Sequence, residues 1–457
     1  MMANRRAIGM VATGARLVVG VVIAVGCVVG VGAAVVAPWP EIAHTPASTQ
    51  VSTVPGDPVL VCTGPFRVLG RDAQDAQQMQ SAGDAGITVD GDPVAPEQAV
   101  IATPDLNGGS GAAVFTGAVE ERESSEIAAA ESLSSDQADL TGYAAAPCAA
   151  ASTQSWIVGG SVETGANDVL VLSNPGSVTA TVTLEVFGGS GAPTTTVIPA
   201  QTQIALPFAS IAAGADAPVV RVTAEGAPVR AVLQSALTRT LDPAGSDLQG
   251  SVLEASETLR FAGVQVVAAG AGTATDALRL LAVDADTVAR VVVRDEAGDI
   301  ASEFTVPLTA ATPLDVALAD LDLGVYRVEV SASAAVVGAV WQSEDTASGT
   351  DFAWMTPAAP ITEALFAVPG GPAPTLHVVN DTDAEITVAL EQLAGSSREI
   401  TVAAGESESV PVGAGAVYRL TADGEVAAAV TMTASGRLAG WPVASTASTE
   451  REITVYP

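Results

Sequence analysis

Val325-Tyr326-Arg327-Val328-Glu329, followed by Ala339-Val340-Trp341-Gln342-Ser343, is the stretch on which the fold turns. Two near copies of it occur elsewhere. Val220-Arg221-Val222-Thr223 leads to Ala231-Val232-Leu233-Gln234-Ser235, and Val417-Tyr418-Arg419-Leu420-Thr421 leads to Ala429-Val430-Thr431-Met432-Thr433. Apolar residues alternate with polar ones in the first run of each copy, the period-2 pattern of a half-buried strand. The Arg of the first run and the Val of the second stand 11, 13 and 11 residues apart, and the copies recur after 108 and then 90 residues. A period near 100 residues is the size of a whole domain. We therefore expect three superposable modules, each pairing its Arg strand with the strand that follows it as a hairpin.

Working outward, each copy has a matching upstream half. The first module holds Val169-Leu170-Val171-Leu172-Ser173-Asn174 and Ala180-Thr181-Val182-Thr183-Leu184-Glu185-Val186. The second holds Ala277-Leu278-Arg279-Leu280-Leu281 and Ala289-Arg290-Val291-Val292-Val293-Arg294. The third holds Thr375-Leu376-His377-Val378-Val379-Asn380 and Glu385-Ile386-Thr387-Val388-Ala389-Leu390. Short Val- and Thr-rich runs separated by Gly, Pro, Asp and Asn at roughly ten-residue spacing are the signature of an antiparallel sandwich. The expected fold is all-β: an N-terminal transmembrane helix followed by tandem antiparallel β-sandwiches of the Ig-like, Greek-key type. The expected sandwiches are 156–255, 256–360 and 361–457, preceded by a disulfide-closed β-rich region at 57–155. Within that region, 72–79 reads as a short helix or a loop, and the acidic stretch 120–131 fits helix and strand equally.

The N-terminus is different in kind. Residues 1–16 are basic and 17–36 carry no charge. Twenty residues at ~1.5 Å each span ~30 Å, the thickness of a bilayer's hydrocarbon core. We expect an uncleaved anchor at 17–37, with 1–16 in the cytoplasm, a Pro/Ser/Thr spacer at 38–56 and the rest outside the cell. A cleaved signal peptide is the competing reading, disfavoured by Pro38 directly after Ala37. Gly26, Gly30 and Ala34 form a small-residue stripe that would suit weak homodimerisation of such helices.

Composition removes whole classes of function. The formal charge is −33, from 51 acidic residues against 18 basic ones, all Arg. A surface of that sign repels phosphate backbones, so nucleic acid is excluded as a partner. Aromatics are 4% of residues, too few for extended stacking platforms. Beyond the apolar run only Cys62 and Cys148 remain, one pair with one pairing, and we expect a structural disulfide. His44 and His377 are the only imidazoles. His44 sits in the spacer, and His377 reads as a strand-surface residue. With no usable base or free thiol, no catalytic residue, metal ligand or cofactor site is expected. Turns such as Asp284-Ala285-Asp286 and Asn380-Asp381-Thr382-Asp383 read as hairpin turns rather than calcium loops. Trp156, Trp341, Trp354 and Trp441 read as core or junction residues. Arg221, Arg327 and Arg419 are repeat-equivalent and face away from their Val neighbours, placing them opposite an acid on the next strand.

The box Cys62-Thr63-Gly64-Pro65, together with Pro147-Cys148, Trp156-Ile157-Val158-Gly159-Gly160 and Leu172-Ser173-Asn174-Pro175, resembles an actinobacterial envelope family known as domain-of-unknown-function family 5719. The resemblance runs from about Pro55 to Pro457. It implies an exported, membrane-anchored protein and brings no catalytic residues. The function expected from the sequence is a non-catalytic, membrane-anchored scaffold of the cell envelope that binds envelope proteins or wall polymer. The alternative is an array of modules binding cell-wall polysaccharide.

Overall fold

A computed structural model describes residues 4–36, 49–52, 56–70, 78–120, 123–268, 276–344, 350–445 and 452–455. The chain divides into two compact units. The smaller holds the helix α1 (Asn4–Val36) and an antiparallel pair of strands, Thr49–Ser52 with Glu452–Val455. The larger runs from Val54 to Thr449 and is built almost wholly of β-strands.

The membrane anchor expected at 17–37 is corrected. No helix among the described residues is long and apolar enough to cross a membrane. The single-pass topology, the cytoplasmic N-terminus and the membrane-inserted partner reading fall with the anchor. So does the helix dimer through Gly26, Gly30 and Ala34, whose stripe presumed a lipid-embedded helix; the Ala34 side chain lies outside the described residues. Most of the spacer, residues 71–77 and His44 also lie outside them.

In the larger unit the N-terminal region contributes β1 (Gly86–Asp92), β2 (Glu126–Gln137) and β3 (Leu140–Pro147), with β2 central. The undecided stretch 120–131 thus enters a strand at Glu126. Repeat 1 follows with β4 (Gln154–Val158), β5 (Val169–Asn174), β6 (Ala180–Phe187), β7 (Thr194–Ile198), β8 (Thr202–Pro207), β9 (Val219–Glu225), β10 (Arg230–Arg239) and β11 (Asp242–Gly250). Its strands form two four-stranded sheets, β4-β9-β6-β7 and β8-β5-β10-β11. Alternation does what the sequence implied: Val182 and Leu184 are buried while Thr181 is exposed.

Repeat 2 comprises β12 (Ser256–Val266), β13 (Ala277–Ala282), β14 (Thr287–Arg294), β15 (Ile300–Leu308), β16 (Leu314–Ala317), β17 (Gly324–Ser343) and β18 (Phe352–Met355). Repeat 3 comprises β19 (Ile361–Val368), β20 (Pro374–Val379), β21 (Ile386–Gln392), β22 (Ser397–Val402), β23 (Ser407–Pro411), β24 (Ala416–Ala434) and β25 (Arg437–Pro442). The pairing scheme of repeat 1 recurs in both, with one change. The strands equivalent to β9 and β10 are fused into one long strand, β17 or β24, which pairs with four others.

That fusion corrects the tandem-sandwich expectation. In repeats 2 and 3 the two sheets are one curled, seven-stranded half-barrel. It also corrects the hairpin: the Arg strand never pairs with the strand after it. In repeat 1 the two lie in different sheets, and in the others they are two ends of one strand. The reason lies in the connection. In repeat 1, Gly226, held at φ 90°, and Pro228 interrupt the strand. In repeat 2 the link Ser331-Ala332-Ser333-Ala334-Ala335 has neither Gly nor Pro, and in repeat 3 Gly424 stays out of the positive-φ region, so the extended chain runs on from one half of the sheet to the other.

The repeats close around a centre. Their last hairpins, β10–β11, β17–β18 and β24–β25, are joined there by β2–β3 of the N-terminal region. β3 packs against β11 and β25, and β18 packs against the same two. Apolar clusters fill the seams: Trp156, Val219, Leu281, Val337 and Phe352 between repeats 1 and 2, and Ala128, Ala130, Leu365, Ala367 and Val417 between the N-terminal region and repeat 3.

Candidate functional site

A group of buried ionisable and sulfur-bearing side chains lies where the N-terminal region meets repeat 1. Cys62 and Cys148 form a disulfide there, both buried. The backbone around them is pinned first: the Cys62 N–H donates to Ala113 O and the Cys148 N–H to Ala129 O. Gly64 then turns the chain at φ 79°, pressed so close to its neighbour that a Cβ would stand 2.9 Å from Ala112 Cα. The turn aims the N–H groups of Thr63 and Gly64 at the carboxylate of Glu131, which accepts both.

Glu131 is fully buried on β2, with Arg230 Nη1 3.8 Å from its Oε1. Arg230 opens β10 and also donates to Thr63 Oγ1 (3.1 Å) and Pro147 O (2.7 Å). Beside it, Arg67 is also buried. Gln234 clasps the Arg67 backbone at both ends (2.8 and 2.7 Å), and the guanidinium donates to Gln203 Oε1. Burial pulls both guanidinium groups below their usual range, while Asp105 and then Glu131 pull Arg67 back up and Glu131 does the same for Arg230. One atom each of Cys62, Glu131 and Cys148 lies within 4.8 Å of the others, a constellation that could hold a metal ion. In the oxidised state the sulfurs are spent on each other, so this potential is latent.

A second buried carboxylate, Asp351, sits at the centre of the converging hairpins. It accepts N–H groups from Tyr143 on β3 (2.7 Å), Ser246 on β11 (2.9 Å) and Leu438 on β25 (2.9 Å). Gly142 and Gly245 must be glycine, because a Cβ on either would come within 2.6 Å of Asp351 Oδ1. Nearby, Asp247 accepts the Trp354 N–H at 2.8 Å. Burial raises the Asp351 carboxyl well above its usual range, Asp247 to about 7 and Asp168 to about 6.

The repeat-equivalent arginines occupy equivalent positions and do different things. Arg221 pairs with Glu185 directly across the sheet. Arg327 reaches into repeat 3, to Gly405 O (2.6 Å) and Asp381 (3.4 Å). Arg419 gathers Glu363 (3.1 Å) from its own repeat with Glu126 and Asp92 (2.7 Å) from the N-terminal region. His377 is no strand-surface residue. It is buried, with its ring nitrogens 2.7 Å from Ser409 Oγ and 2.7 Å from Thr431 Oγ1, and burial pushes it down to about 4. Trp156, Trp354 and Trp441 are buried in seams and cores, and Trp341 stacks on Phe352 at 4.4 Å. In the acidic turns, Asp286 accepts the Ala310 N–H and Asn380 Oδ1 accepts the Thr382 N–H.

Sequence reasoning missed Glu131, Arg67, Arg230 and Asp351. A buried acid looks like any other acid among 51. It also missed Asn174 and Asn380, each fully buried and each donating to three carbonyls to tie off a turn. Their common place at the end of β5 and β20 was the available signal.

A family of unknown function (DUF5719) matches residues 105–413. The chain belongs to that family. The DUF5719 match covers repeat 1, repeat 2, Glu131, Cys148, Arg230 and Asp351, and it begins after Cys62 and Arg67. It is narrower than the resemblance running from Pro55 to Pro457. A comparison with curated proteins found no match.

Proposed function

We propose that this DUF5719 chain is a non-catalytic binding protein for an extended polysaccharide, engaged through its repeated sheets. The membrane-anchored scaffold expected from the sequence is set aside, because it rested on a span that no described helix supplies. The observation that carries the polysaccharide reading is the threefold recurrence of one pairing scheme in a single compact unit. Each repeat ends one side in an edge strand, β7, β15 or β22. Opposite Thr183, Val292 and Ala389, which are equivalent in register, these edges carry exposed Thr195, Glu303 and Glu399, with exposed Thr305 two residues beyond Glu303. A polymer with a repeating unit can meet such surfaces more than once, so weak contacts multiply through effective concentration.

Burial of Trp156, Trp354 and Trp441 and the stacking of Trp341 on Phe352 take these four rings out of sugar stacking, leaving hydroxyl, carboxylate and main-chain hydrogen bonds. The charge of −33 favours a neutral or cationic glycan over a polyanion. Absence of catalysis is supported by the buried, multiply bonded state of His377 and the pairing of Cys62 with Cys148. A cavity of about 10 Å³ beside Arg260, Arg327 and Asp381 has room for a water, not a substrate. The all-Arg basic complement supports a GC-rich source of the actinobacterial kind.

Co-sedimentation with insoluble polysaccharides, followed by titration with soluble fragments of increasing length, tests the reading. Affinity should rise steeply with fragment length, and Thr195→Arg or Thr305→Arg should each weaken binding to the long polymer while leaving the fold intact. Equal affinity for short and long fragments, or no retention by any neutral or cationic glycan, would overturn it.

A further inference from the structure

We infer that Cys62, Cys148 and Glu131 form a thiol-gated site for a divalent cation of the zinc class, closed while the disulfide stands and opened by its reduction. Three observations meet at one place. The three ligand atoms lie within 4.8 Å of one another, and all three residues are buried. In a tetrahedral zinc centre, with bonds of ~2.3 Å to sulfur and ~2.0 Å to oxygen, ligands stand roughly 3.5–3.8 Å apart, so modest side-chain rotation suffices. Glu131 is already oriented by the Thr63 and Gly64 N–H groups, the kind of outer support that fixes a ligating carboxylate.

Charge decides in favour of a divalent ion. With the disulfide closed, the carboxylates of Glu131 and Asp105 stand against the guanidinium groups of Arg230 and Arg67 in a buried site. Two thiolates would bring two uncompensated negative charges into that site, which burial opposes. A divalent cation cancels them, so the neutrality of the closed state is restored. Soft thiolate ligands select zinc over magnesium or calcium. The chemistry balances as follows. A dithiol reductant gives two electrons and two protons to the S–S bond, yielding two thiols and leaving as its own disulfide. The metal then displaces both thiol protons to solvent and takes the two thiolates and the Glu131 carboxylate, with the fourth position left to a solvent molecule.

The full chain tests this directly. Reduced with dithiothreitol, freed of it under nitrogen and titrated with Co²⁺, it should bind one ion per chain with a thiolate-to-cobalt charge-transfer band in the near ultraviolet. The oxidised chain should show none, and Zn²⁺ should erase the band. Glu131→Gln should keep the band but weaken binding on the order of tenfold to a hundredfold. A reduced chain that keeps its native circular dichroism and shows no band would overturn the site, as would equal Co²⁺ binding by the Cys62→Ser/Cys148→Ser chain. If reduction unfolds the protein, Zn²⁺ should restore the native spectrum, and failure to do so would be equally decisive against it.

Discussion

The carboxylate of Asp351 accepts the backbone N–H of Tyr143 at 2.7 Å, across 208 positions of sequence. The same carboxylate takes Ser246 and Leu438, so one side chain holds a strand from the N-terminal region and from each of repeats 1 and 3. Stranding a buried N–H costs ~1–3 kcal/mol. Asp351→Ala strands three, and we expect a loss of roughly 3–5 kcal/mol in urea denaturation, with some relief from local water entry. Asp351→Asn should lose less, since its remaining oxygen still serves one side. Equal stability of Asp351→Ala and the parent would show that the hairpins converge without this anchor.

Asp247 sets a pH dependence. Its folded carboxyl titrates at about 7, against ~3.9 in the unfolded chain. Between those values the folded state holds a proton that the unfolded state has lost. The contribution is therefore fully present below pH ~4 and falls away as pH rises toward 7, by on the order of 3–4 kcal/mol in the limit. Asp247→Asn should flatten the stability-versus-pH curve in that window, as read from melting temperatures in matched buffers. An unchanged slope would remove Asp247 as its source.

His377 acts with the opposite sign in an overlapping window. Its folded value of about 4 lies below the unfolded ~6.5, so its contribution is present above pH ~6.5 and lost as pH falls toward 4. His377→Gln, which still reaches Ser409 or Thr431 and does not titrate, should be more stable relative to the parent at pH 4.5 than at pH 7.5. A constant difference between the two pH values would contradict this.

The disulfide closes a loop of sequence separation 86. Loop-entropy arithmetic puts its contribution at roughly 4–5 kcal/mol, an upper figure if the unfolded chain is compact. The Cys62→Ser/Cys148→Ser chain should unfold at distinctly lower urea concentration. The deficit should concentrate in the N-terminal region, where hydrogen exchange of Ala129 and Ala113 neighbours would rise first.

Asn174 and Asn380 offer a test of repeat equivalence. Each donates to three backbone carbonyls from a fully buried amide. Asn→Asp keeps the shape and removes every donor, so it should cost at least as much as Asn→Ala, roughly 2–4 kcal/mol. The two sites should respond alike, and a large difference between them would show that their surroundings diverge.

What the sequence made legible was local. Alternation located β6, β14 and β21, because one face of each is packed and the other wet. What it hid was whatever depends on a partner far along the chain. Ala128, Ala129 and Ala130 have good helix propensity and become strand only because β1 and β3 flank them. Gly and Asp between two apolar runs read as a hairpin, yet Asp423-Gly424 lies inside the continuous strand β24. His377 reads as a surface residue because its neighbours Leu376 and Val378 mark the inward face, but the other face is covered as well. The buried acids had no local mark, since what singles them out is the set of N–H groups aimed at them.

The closing of the ring has a consequence for synthesis. Arg419 and Glu126 meet across 293 positions, and β3 rests on β25 near the far end of the chain. At ~5–20 residues per second, a ribosome leaves the N-terminal hairpin waiting on the order of tens of seconds for the strand that covers it. During that interval Ala128, Ala130 and the inner face of β3 have no permanent cover. A nascent chain stalled before repeat 3 is thus the form most exposed to aggregation, and the form a chaperone would find first.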